Sequence, residues 1–493
     1  MYSMTLKELL NVFGIESASL EKVSSITLDS RKASEGSVFF ACKGHASDGR
    51  DYMLAAEKAG ALAIVYEADD AKSVEGLSIP HFPVTGLNEM VGHAANIFYK
   101  EPSQELQVFG VTGTNGKTTC CYLLVQALTK LGMNAAMIGT IGVGPLDSLS
   151  SSGLTTPDPI AVQQALAQFR DAGMTQVCME VSSHALDQGR VNGVQFFCCL
   201  FTNLSRDHLD YHGDMAGYGL AKQRLFTDFH SELTIANAAD DLGARLVDVA
   251  NSDFIVQYGS GGDVYAEDVE LKESGIELVI EGSGVEFEIQ TPLVGQVNVP
   301  NIEMLVATLL ALSTDVAEIQ RILAELNPAP GRMELYTNRG FARVVVDYAH
   351  TPDALEKALM SIDEHCSGKL WCVFGCGGDR DSGKRSQMGR LAEKYADYAI
   401  ITNDNPRTED PSRIAMDIAS GMSGEGYDVI LDRADAINYS IGNAKENDWV
   451  LVAGKGHETT QTIGADVVAF SDRQQVQRCL KLTNEELSKG VLS

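Results

Sequence analysis

Basic residues are scarce in this chain. Its 493 residues carry 38 lysines and arginines against 67 aspartates and glutamates, a formal charge of −29. A surface so short of cations has no general basic face with which to release counterions from nucleic acid or to meet anionic lipid, so both are excluded as general partners. A small anionic ligand is not excluded, because a few well-placed basic groups could hold one. Cysteine is present but without a framework. The ten thiols include the adjacent pairs Cys120/Cys121 and Cys198/Cys199 in apolar surroundings, and Cys372 and Cys376 at a spacing that is not C-x-x-C. This excludes a disulfide scaffold and a zinc ribbon, and leaves reduced thiols used as small core residues. The start, Met1-Tyr2-Ser3-Met4-Thr5-Leu6-Lys7-Glu8, lacks a basic region followed by an apolar run, and no stretch reaches about 18 uninterrupted apolar residues. A cytoplasmic location is expected. There is no internal repeat and no low-complexity segment.

What is present is an ordinary globular composition, 44% hydrophobic and 21% charged, in a chain long enough for about three domains. Up to residue 100, short apolar runs (Ser37 to Cys42, Ala61 to Val65) alternate with helical stretches (Met53 to Ala59, Met90 to Tyr99), a small α/β unit. Glu101-Pro102-Ser103 reads as a linker, and a second domain, 101–330, opens on the strand Leu106 to Thr112. Gln176 to Val181 and Cys198 to Asn203 read as buried parallel strands whose polar ends lie where an open α/β sheet places its ligands. From Asp263 to Glu288 nine acids face one lysine, with apolar residues alternating at Val285, Phe287 and Ile289: a solvated hairpin or small antiparallel sheet. Beyond Asn327-Pro328-Ala329-Pro330-Gly331, runs at Ala342 to Asp347, Leu370 to Gly375, Tyr398 to Thr402 and Trp449 to Gly454 predict a third, doubly wound domain, 331–493. The fold class is α/β in three domains, with a central P-loop-type mononucleotide-binding domain and a C-terminal Rossmann-like one.

Gly110 to Thr119 follows a strand and precedes an apolar-periodic helix, Cys120 to Leu131. That is the setting of a phosphate loop: backbone N–H groups and a helix N-terminus cradle phosphates, Lys117 reaches the β/γ oxygens, and a threonine hydroxyl helps to hold Mg²⁺. Val111 stands where the usual spacing puts the first glycine, so the loop is a variant. Glu180, His184, His208 and His212 fall at neighbouring strand ends and suit a Mg²⁺ site that shares its ligands with phosphate and water, although His184 and His212 taken singly are more often structural. Spacing alone leaves Lys222 a solvated helix residue.

The motifs Leu28-Asp29-Ser30-Arg31, Gly44-His45 with Asp48-Gly49-Arg50, Gly113 to Thr119, Thr155-Thr156-Pro157, Glu180 to His184, Asn203 to Asp210, Asp347-Tyr348-Ala349-His350, Gly375 to Arg380, Asp404-Asn405-Pro406-Arg407 and Gly454 to Glu458 resemble those of the Mur ligase family. The likeness spans nearly the whole chain. It is specific to the members that add the third residue of the peptidoglycan stem peptide to UDP-N-acetylmuramoyl-L-alanyl-D-glutamate. The resemblance implies an N-terminal UDP-binding domain (1–100) using Leu28, Ser30, His45, Ala46 and Ser47. It places the muramoyl-dipeptide at Thr155, Thr156, Ser182, Gln188 and Arg190. ATP falls to Gly113, Thr114, Asn115, Gly116, Lys117, Thr118 and Thr119, with Asn301, Arg332, Asp347 and His350. Lys117, Glu180, His208 and Lys222 would be catalytic, and Lys222 would carry a carbamate that joins Thr118, Glu180 and His208 as Mg²⁺ ligands. Leu154 in place of asparagine, and Val297-Asn298-Val299-Pro300-Asn301 without a phenylalanine before the first asparagine, depart from the family pattern.

Lysine-adding relatives differ at the last position of Asp404-Asn405-Pro406-Arg407. The Arg407 guanidinium suits the second carboxylate that meso-diaminopimelate has and lysine lacks, while Asp404 and Glu458 suit ammonium groups; Arg380, Asn405, Pro406 and Gly454 complete the implied set. The implied chemistry is transfer of the ATP γ-phosphoryl to the D-glutamate side-chain carboxylate, then attack of the amine on the acyl phosphate, in a monomer. The lysine-adding ligase, a folylpolyglutamate synthetase-like ligase, an NTPase switch and a non-catalytic nucleotide module are the alternatives.

Overall fold

The computed structural model describes residues 2–44, 47–68, 76–151, 153–282, 284–424 and 426–482. Its contacts fall into two compact units, Met1–Gln257 and Tyr258–Ser493.

In the first unit, Ser25–Thr27, Ser37–Ala41, Ala63–Glu67 and His81–Val84 form a parallel sheet in chain order. Ser37–Ala41 is apolar at successive positions because both its faces are covered. Val38 and Phe40 pack with Leu87, Val91 and Ala95 of the helix Leu87–Phe98, while Phe39 and Ala41 pack with Met53 and Ala56 of the helix Met53–Lys58. Glu67, buried at the strand end, accepts the Gly86 and Leu87 N–H groups at 3.0 and 2.8 Å, so a carboxylate caps a helix N-terminus where glycine offers no side chain.

The larger sheet of this unit runs Ser231–Asn237, Cys198–Phe201, Gln107–Thr112, Gln176–Glu180, Ala135–Gly139, all parallel, with Gly142–Gly144 antiparallel at the edge. The chain's first strand of this sheet, Gln107–Thr112, sits in the middle, so the direction of winding reverses beside it. Crevices outside the carboxyl ends at such a reversal are where α/β sheets bind ligands. The predicted linker at Glu101 is a short 3-10 turn, Pro102–Glu105, and the phosphate-loop helix begins at Lys117, three residues before the predicted start, and runs to Lys130.

In the second unit the acidic stretch is a three-stranded antiparallel meander, Val264–Lys272, Gly275–Gly282 and Val285–Thr291. Ile280 opposes Phe287 and Leu278 opposes Ile289 on its buried face, which lies against the helices Val299–Ala311 and Val316–Ala324. A second sheet runs Glu334–Tyr336, Arg343–Asp347, Trp449–Ala453, Leu370–Phe374, Tyr398–Ile401, Tyr427–Val429, parallel except for the first strand. Alternate residues feed opposite layers: Val345, Leu451 and Cys372 one, Val344, Val450 and Val373 the other. Beneath its carboxyl edge lies a fully buried ion pair, Arg433 with Asp472, both bonds 2.7 Å; Arg433 also donates to Asn403 O and Ala453 O, fastening the two loops that lead into Asp404 and Gly454.

His365 ties three segments of this unit. Its Nε2 accepts the Gly295 N–H at 2.8 Å, its Nδ1 therefore carries the proton and donates to Lys272 O at 2.7 Å, and its ring stacks on Trp449. Burial pushes this imidazole below its ordinary pKa. The folded state thus holds His365 neutral where the unfolded chain, with a pKa of about 6.5, binds a proton, so its contribution is present above pH ~6.5 and declines as pH falls below it. The difference in unfolding free energy from urea titration between wild type and His365→Leu is expected to be large at pH 7.5, about 1–3 kcal/mol, and to shrink at pH 5. A difference independent of pH would refute this.

Candidate functional site

The phosphate loop owes its shape to two glycines. Gly113 (φ +149°) and Gly116 (φ +87°) hold backbone angles that side chains avoid, and a Cβ on Gly113 would lie 1.8 Å from Thr202 Oγ1. The helix Lys117–Lys130 starts on Gly116, which supplies no side-chain cap, and the positive end of such a helix suits a phosphate group. Neighbouring strand ends lace the loop down. Thr114 N–H donates to Asn203 O at 2.7 Å, Asn115 N–H to Asn203 Oδ1 at 3.1 Å, Ser205 N–H to Thr114 Oγ1 at 2.9 Å, and Thr202 Oγ1 to Asn115 O at 2.6 Å. Asn203 and Ser205 belong to the motif Asn203 to Asp210 but had no role assigned from sequence, and neither had Thr202 or Tyr218, whose hydroxyl lies 3.2 Å from Thr114 Oγ1; their positions at the carboxyl ends of strands or on a facing helix were the available signal.

Two lysines meet one carbonyl. Lys117 Nζ donates to Gly113 O at 2.7 Å and Thr114 O at 2.9 Å, and Lys222 Nζ donates to the same Gly113 O at 2.6 Å. Lys222 is not the solvated helix residue its spacing suggests: it is 1% exposed, with Nζ 4.5 Å from the Tyr218 ring centre. Burial, reinforced by the Lys117 cation, holds its amine well below the ordinary lysine pKa.

Glu180 is the junction of the site. Fully buried, its carboxylate accepts Thr118 Oγ1 at 2.9 Å and the Thr140 N–H at 2.8 Å, while its backbone carbonyl accepts Thr156 Oγ1 at 2.8 Å. Thr156 in turn accepts the Ser182 N–H at 3.1 Å, and Thr155 meets Thr140 at 3.0 Å. Arg190 donates to Thr156 O and to Gln188 Oε1. The rings of His208, His212 and Tyr211 surround His184 at 4.2–5.4 Å, and burial drives His184 down to about 4. His212 bonds Ser183 Oγ at 3.0 Å, the structural role expected of it. His208 is exposed at φ +52° and, like Lys222, flanks the Tyr218 ring. Among the described residues no three His, Cys, Asp or Glu side chains close into a metal cage. A threonine hydroxyl, a carboxylate and an exposed imidazole make the open, oxygen-led set that Mg²⁺ accepts when phosphate and water fill the remainder.

The other predicted residues divide between the units. Leu28 packs on the N-terminal core, Ser30 opens a 3-10 turn capped by Asp29, and Ser47 O accepts the Gly44 N–H; His45 and Ala46 lie outside the described residues. Asn301, Arg332, Asp347 and His350 belong to the second unit. Arg332 lies over the Tyr348 ring at 4.6 Å, His350 and His457 contact the same ring, and Asp347 accepts the Met333 and Ala349 N–H groups. Asn301 donates to Asn298 Oδ1. Asn405 bonds Glu458 and Lys455, which pair at 2.7 Å, and a Cβ on Gly454 would lie 2.7 Å from Asp404 Oδ2. Arg407, at φ +51°, donates to Gly378 O at 2.7 Å, its N–H meets Thr462 O, and a Cβ on Gly377 would touch both Arg407 and Arg380. Pro406 O closes on Gly378 in the same way. Lys455 and His457 lie in the motif Gly454 to Glu458 but had no role assigned from sequence, and Thr462 was not singled out.

Three family models match the chain: the Mur ligase family catalytic domain over residues 22–99, the Mur ligase middle domain over 111–311, and the Mur ligase glutamate ligase domain over 331–456. The chain belongs to the Mur ligase family. It is 43% identical over 467 residues, 93% of its length and 96% of the relative's, to the UDP-N-acetylmuramoyl-L-alanyl-D-glutamate–2,6-diaminopimelate ligase of Coxiella burnetii. A solved structure of a ligase of that same name superposes with a TM-score of 0.70 at 33% identity, covering 97% of this chain and 99% of the other. A MurF ligase from Thermotoga maritima in complex with ADP, 19% identical, shares the fold (TM-score 0.62, 95% and 98% covered). Among the described residues no helix is long and apolar enough to cross a membrane.

Gly139 makes room for Glu180: a Cβ there would lie 2.3 Å from Glu180 Oε1. Gly139→Ala is expected to displace the carboxylate and slow nucleotide-dependent phosphate release about 100-fold, the cost of a misplacement near 1 Å. A variant that folds and turns over like wild type would rule out this role for Glu180.

Proposed function

We propose that the protein is an ATP-dependent ligase that joins meso-2,6-diaminopimelate to the D-glutamate of UDP-N-acetylmuramoyl-L-alanyl-D-glutamate, a cytoplasmic step of peptidoglycan precursor synthesis, and that it acts as a monomer. The observation that supports it most directly is that Glu180 joins two sets of residues: its carboxylate bonds Thr118 of the phosphate loop, and its carbonyl bonds Thr156 beside Ser182 and Arg190. A phosphoryl donor and a carboxylate acceptor seated on those sets would meet at one place. The division into 1–100, 101–330 and 331–493 is part of the reading, and each of the three family segments falls within one of these ranges.

On this reading the loop N–H groups and Lys117 neutralise the β- and γ-phosphates of ATP as the γ-phosphoryl moves to the D-glutamate carboxylate, and Arg190 with Gln188 holds the acceptor dipeptide. Thr118, Glu180, His208 and carbamylated Lys222 would hold Mg²⁺, which supplies charge neutralisation on the transferring group. Carbamylation proceeds from the neutral form of the Lys222 amine: its nitrogen bonds the CO₂ carbon and gives up a proton to solvent, leaving an anion beside the Lys117 cation. The His45-Ala46-Ser47 stretch, with Leu28 and Ser30, receives the UDP end. Asn301, Arg332, Asp347 and His350 serve the nucleotide. Arg407 and Arg380 bind the distal carboxylate of diaminopimelate, with Asp404, Asn405, Pro406, Gly454 and Glu458 around its amines. Phosphoryl transfer releases ADP; the amine then attacks the acyl carbon, the C–O bond to phosphate breaks, and the amide forms with loss of phosphate and a proton.

Phosphate release from ATP and UDP-muramoyl-dipeptide should require meso-diaminopimelate and should not respond to L-lysine. Release with no amino acid would overturn the ligase reading, and a lysine preference would overturn the specificity alone. Arg407→Ala is expected to raise KM for diaminopimelate about 10- to 100-fold, the worth of a charge-assisted pair. Lys222→Ala is expected to lower kcat by at least about 100-fold, and stripping CO₂ from wild type to lower it reversibly; insensitivity to both would exclude the carbamate.

A further inference from the structure

The turn Leu209–His212, which follows His208, reaches back to the segment that carries Gln188 and Arg190. Tyr211 OH donates to Asp187 Oδ2 at 2.6 Å and accepts Gln188 Nε2 at 3.1 Å. The polarity of this chain is forced. Arg190 has only donors, so the Gln188 atom it holds at 2.6 and 3.0 Å is the amide oxygen, and the amide nitrogen must face Tyr211. A carboxylate only accepts, so the phenol proton points to Asp187, and the phenol oxygen is left to receive the amide. Burial and the Asp187 carboxylate keep the phenol protonated, pushing it above its ordinary pKa. Arg190 passes the constraint on to Thr156 O, 2.9 Å away.

We propose that Tyr211 is a positioning residue for the acceptor substrate: through Asp187 on one side and Gln188 on the other it fixes which way the Gln188 amide faces, and so the direction in which Arg190 presents its guanidinium to an anionic peptide ligand. The proposal rests on reading Thr156, Ser182, Gln188 and Arg190 as the seat of the muramoyl-dipeptide. It adds a residue that no sequence motif marked, located on the same short turn as the proposed metal ligand His208.

The test uses the full-length enzyme, with the affinity for UDP-N-acetylmuramoyl-L-alanyl-D-glutamate measured by calorimetry and KM for each substrate by phosphate release. Tyr211→Phe keeps the ring that packs on His184 and removes only the hydroxyl. It should raise Kd and KM for the UDP-muramoyl-dipeptide about tenfold, one hydrogen bond's worth, with KM for ATP within about twofold of wild type. Asp187→Asn, which still offers an acceptor, should stay near wild type, whereas Asp187→Ala should resemble Tyr211→Phe, and the double variant should be no worse than either alone. Unchanged affinity in Tyr211→Phe while Gln188→Ala binds weakly would overturn the relay alone. Unchanged affinity in Gln188→Ala would overturn the seat and the relay with it. Equal increases in KM for all three substrates would show general structural damage and also refute the proposal.

Discussion

The Gly113 carbonyl receives two lysines, and much of the active-site chemistry follows from that crowding. Nitrogens bonded to one oxygen at 2.7 and 2.6 Å lie within about 5 Å of each other, where two full charges repel by about 3 kcal/mol even at an effective dielectric of 20. Lys222 is the buried member, and burial together with the Lys117 cation favours loss of its proton; on the proposed reading Lys117 is the cation that meets phosphate. On the proposed reading the same crowding explains the carbamate: only an amine relieved of its charge adds CO₂, and the resulting anion is welcome beside Lys117 as a second lysinium is not. Gly113 itself is irreplaceable there, since its φ and the 1.8 Å approach to Thr202 leave no space for a side chain.

The scarcity of basic residues has a local counterpart. Away from the site, buried or half-buried arginines pair with carboxylates, as Arg433 does with Asp472, Arg385 with Glu409 and Asp417, and Arg50 with Asp48. At the predicted ligand positions cations donate to neutral oxygens. Lys117 donates to Gly113 O and Thr114 O, Arg190 to Thr156 O and the Gln188 amide, and Arg407 to Gly378 O. A neutral acceptor orients a cation without cancelling its charge, so these groups keep their attraction for phosphate or carboxylate in a molecule of net charge −29. Part of the acid excess meanwhile lies on the outer face of the Val264–Thr291 meander.

The parallel strands were legible because doubly covered strands read as continuous apolar runs; Gln176–Glu180 and Cys198–Phe201 end within two residues of where periodicity puts them. The cysteines were legible for the same reason: Cys120, Cys121, Cys178, Cys198, Cys199, Cys372 and Cys376 are buried as small core residues. Glu180 and the phosphate loop were legible because strand ends and glycine turns leave local patterns. Lys222, Tyr211 and His365 left none. Their roles arise from neighbours far along the chain, Gly113 for Lys222, Asp187 and Gln188 for Tyr211, Gly295 and Lys272 for His365, and no helical period encodes such a partner. Resemblance to the Mur ligases, not spacing, singled out Lys222.

Selectivity among amino acids, on the proposed reading, depends on backbone shape as much as on the Arg407 side chain. Arg407 sits in the left-handed region, a conformation costing a non-glycine residue roughly 1–3 kcal/mol, and its N–H and C=O are both bonded, to Thr462 O and the Gly464 N–H, by the hairpin Thr460–Ala469. Gln461 holds Asp404 O and the Thr462 N–H holds Asn405 Oδ1, so the hairpin braces all but one residue of Asp404-Asn405-Pro406-Arg407. From the other side Gly377 and Gly378 admit Arg407 and Pro406 O at distances no Cβ would allow. An arginine at this position in a looser loop would carry the same charge yet sample many directions, and bidentate recognition of a carboxylate depends on direction. The discriminating feature is therefore the arginine together with the hairpin and the glycine pair that aim it.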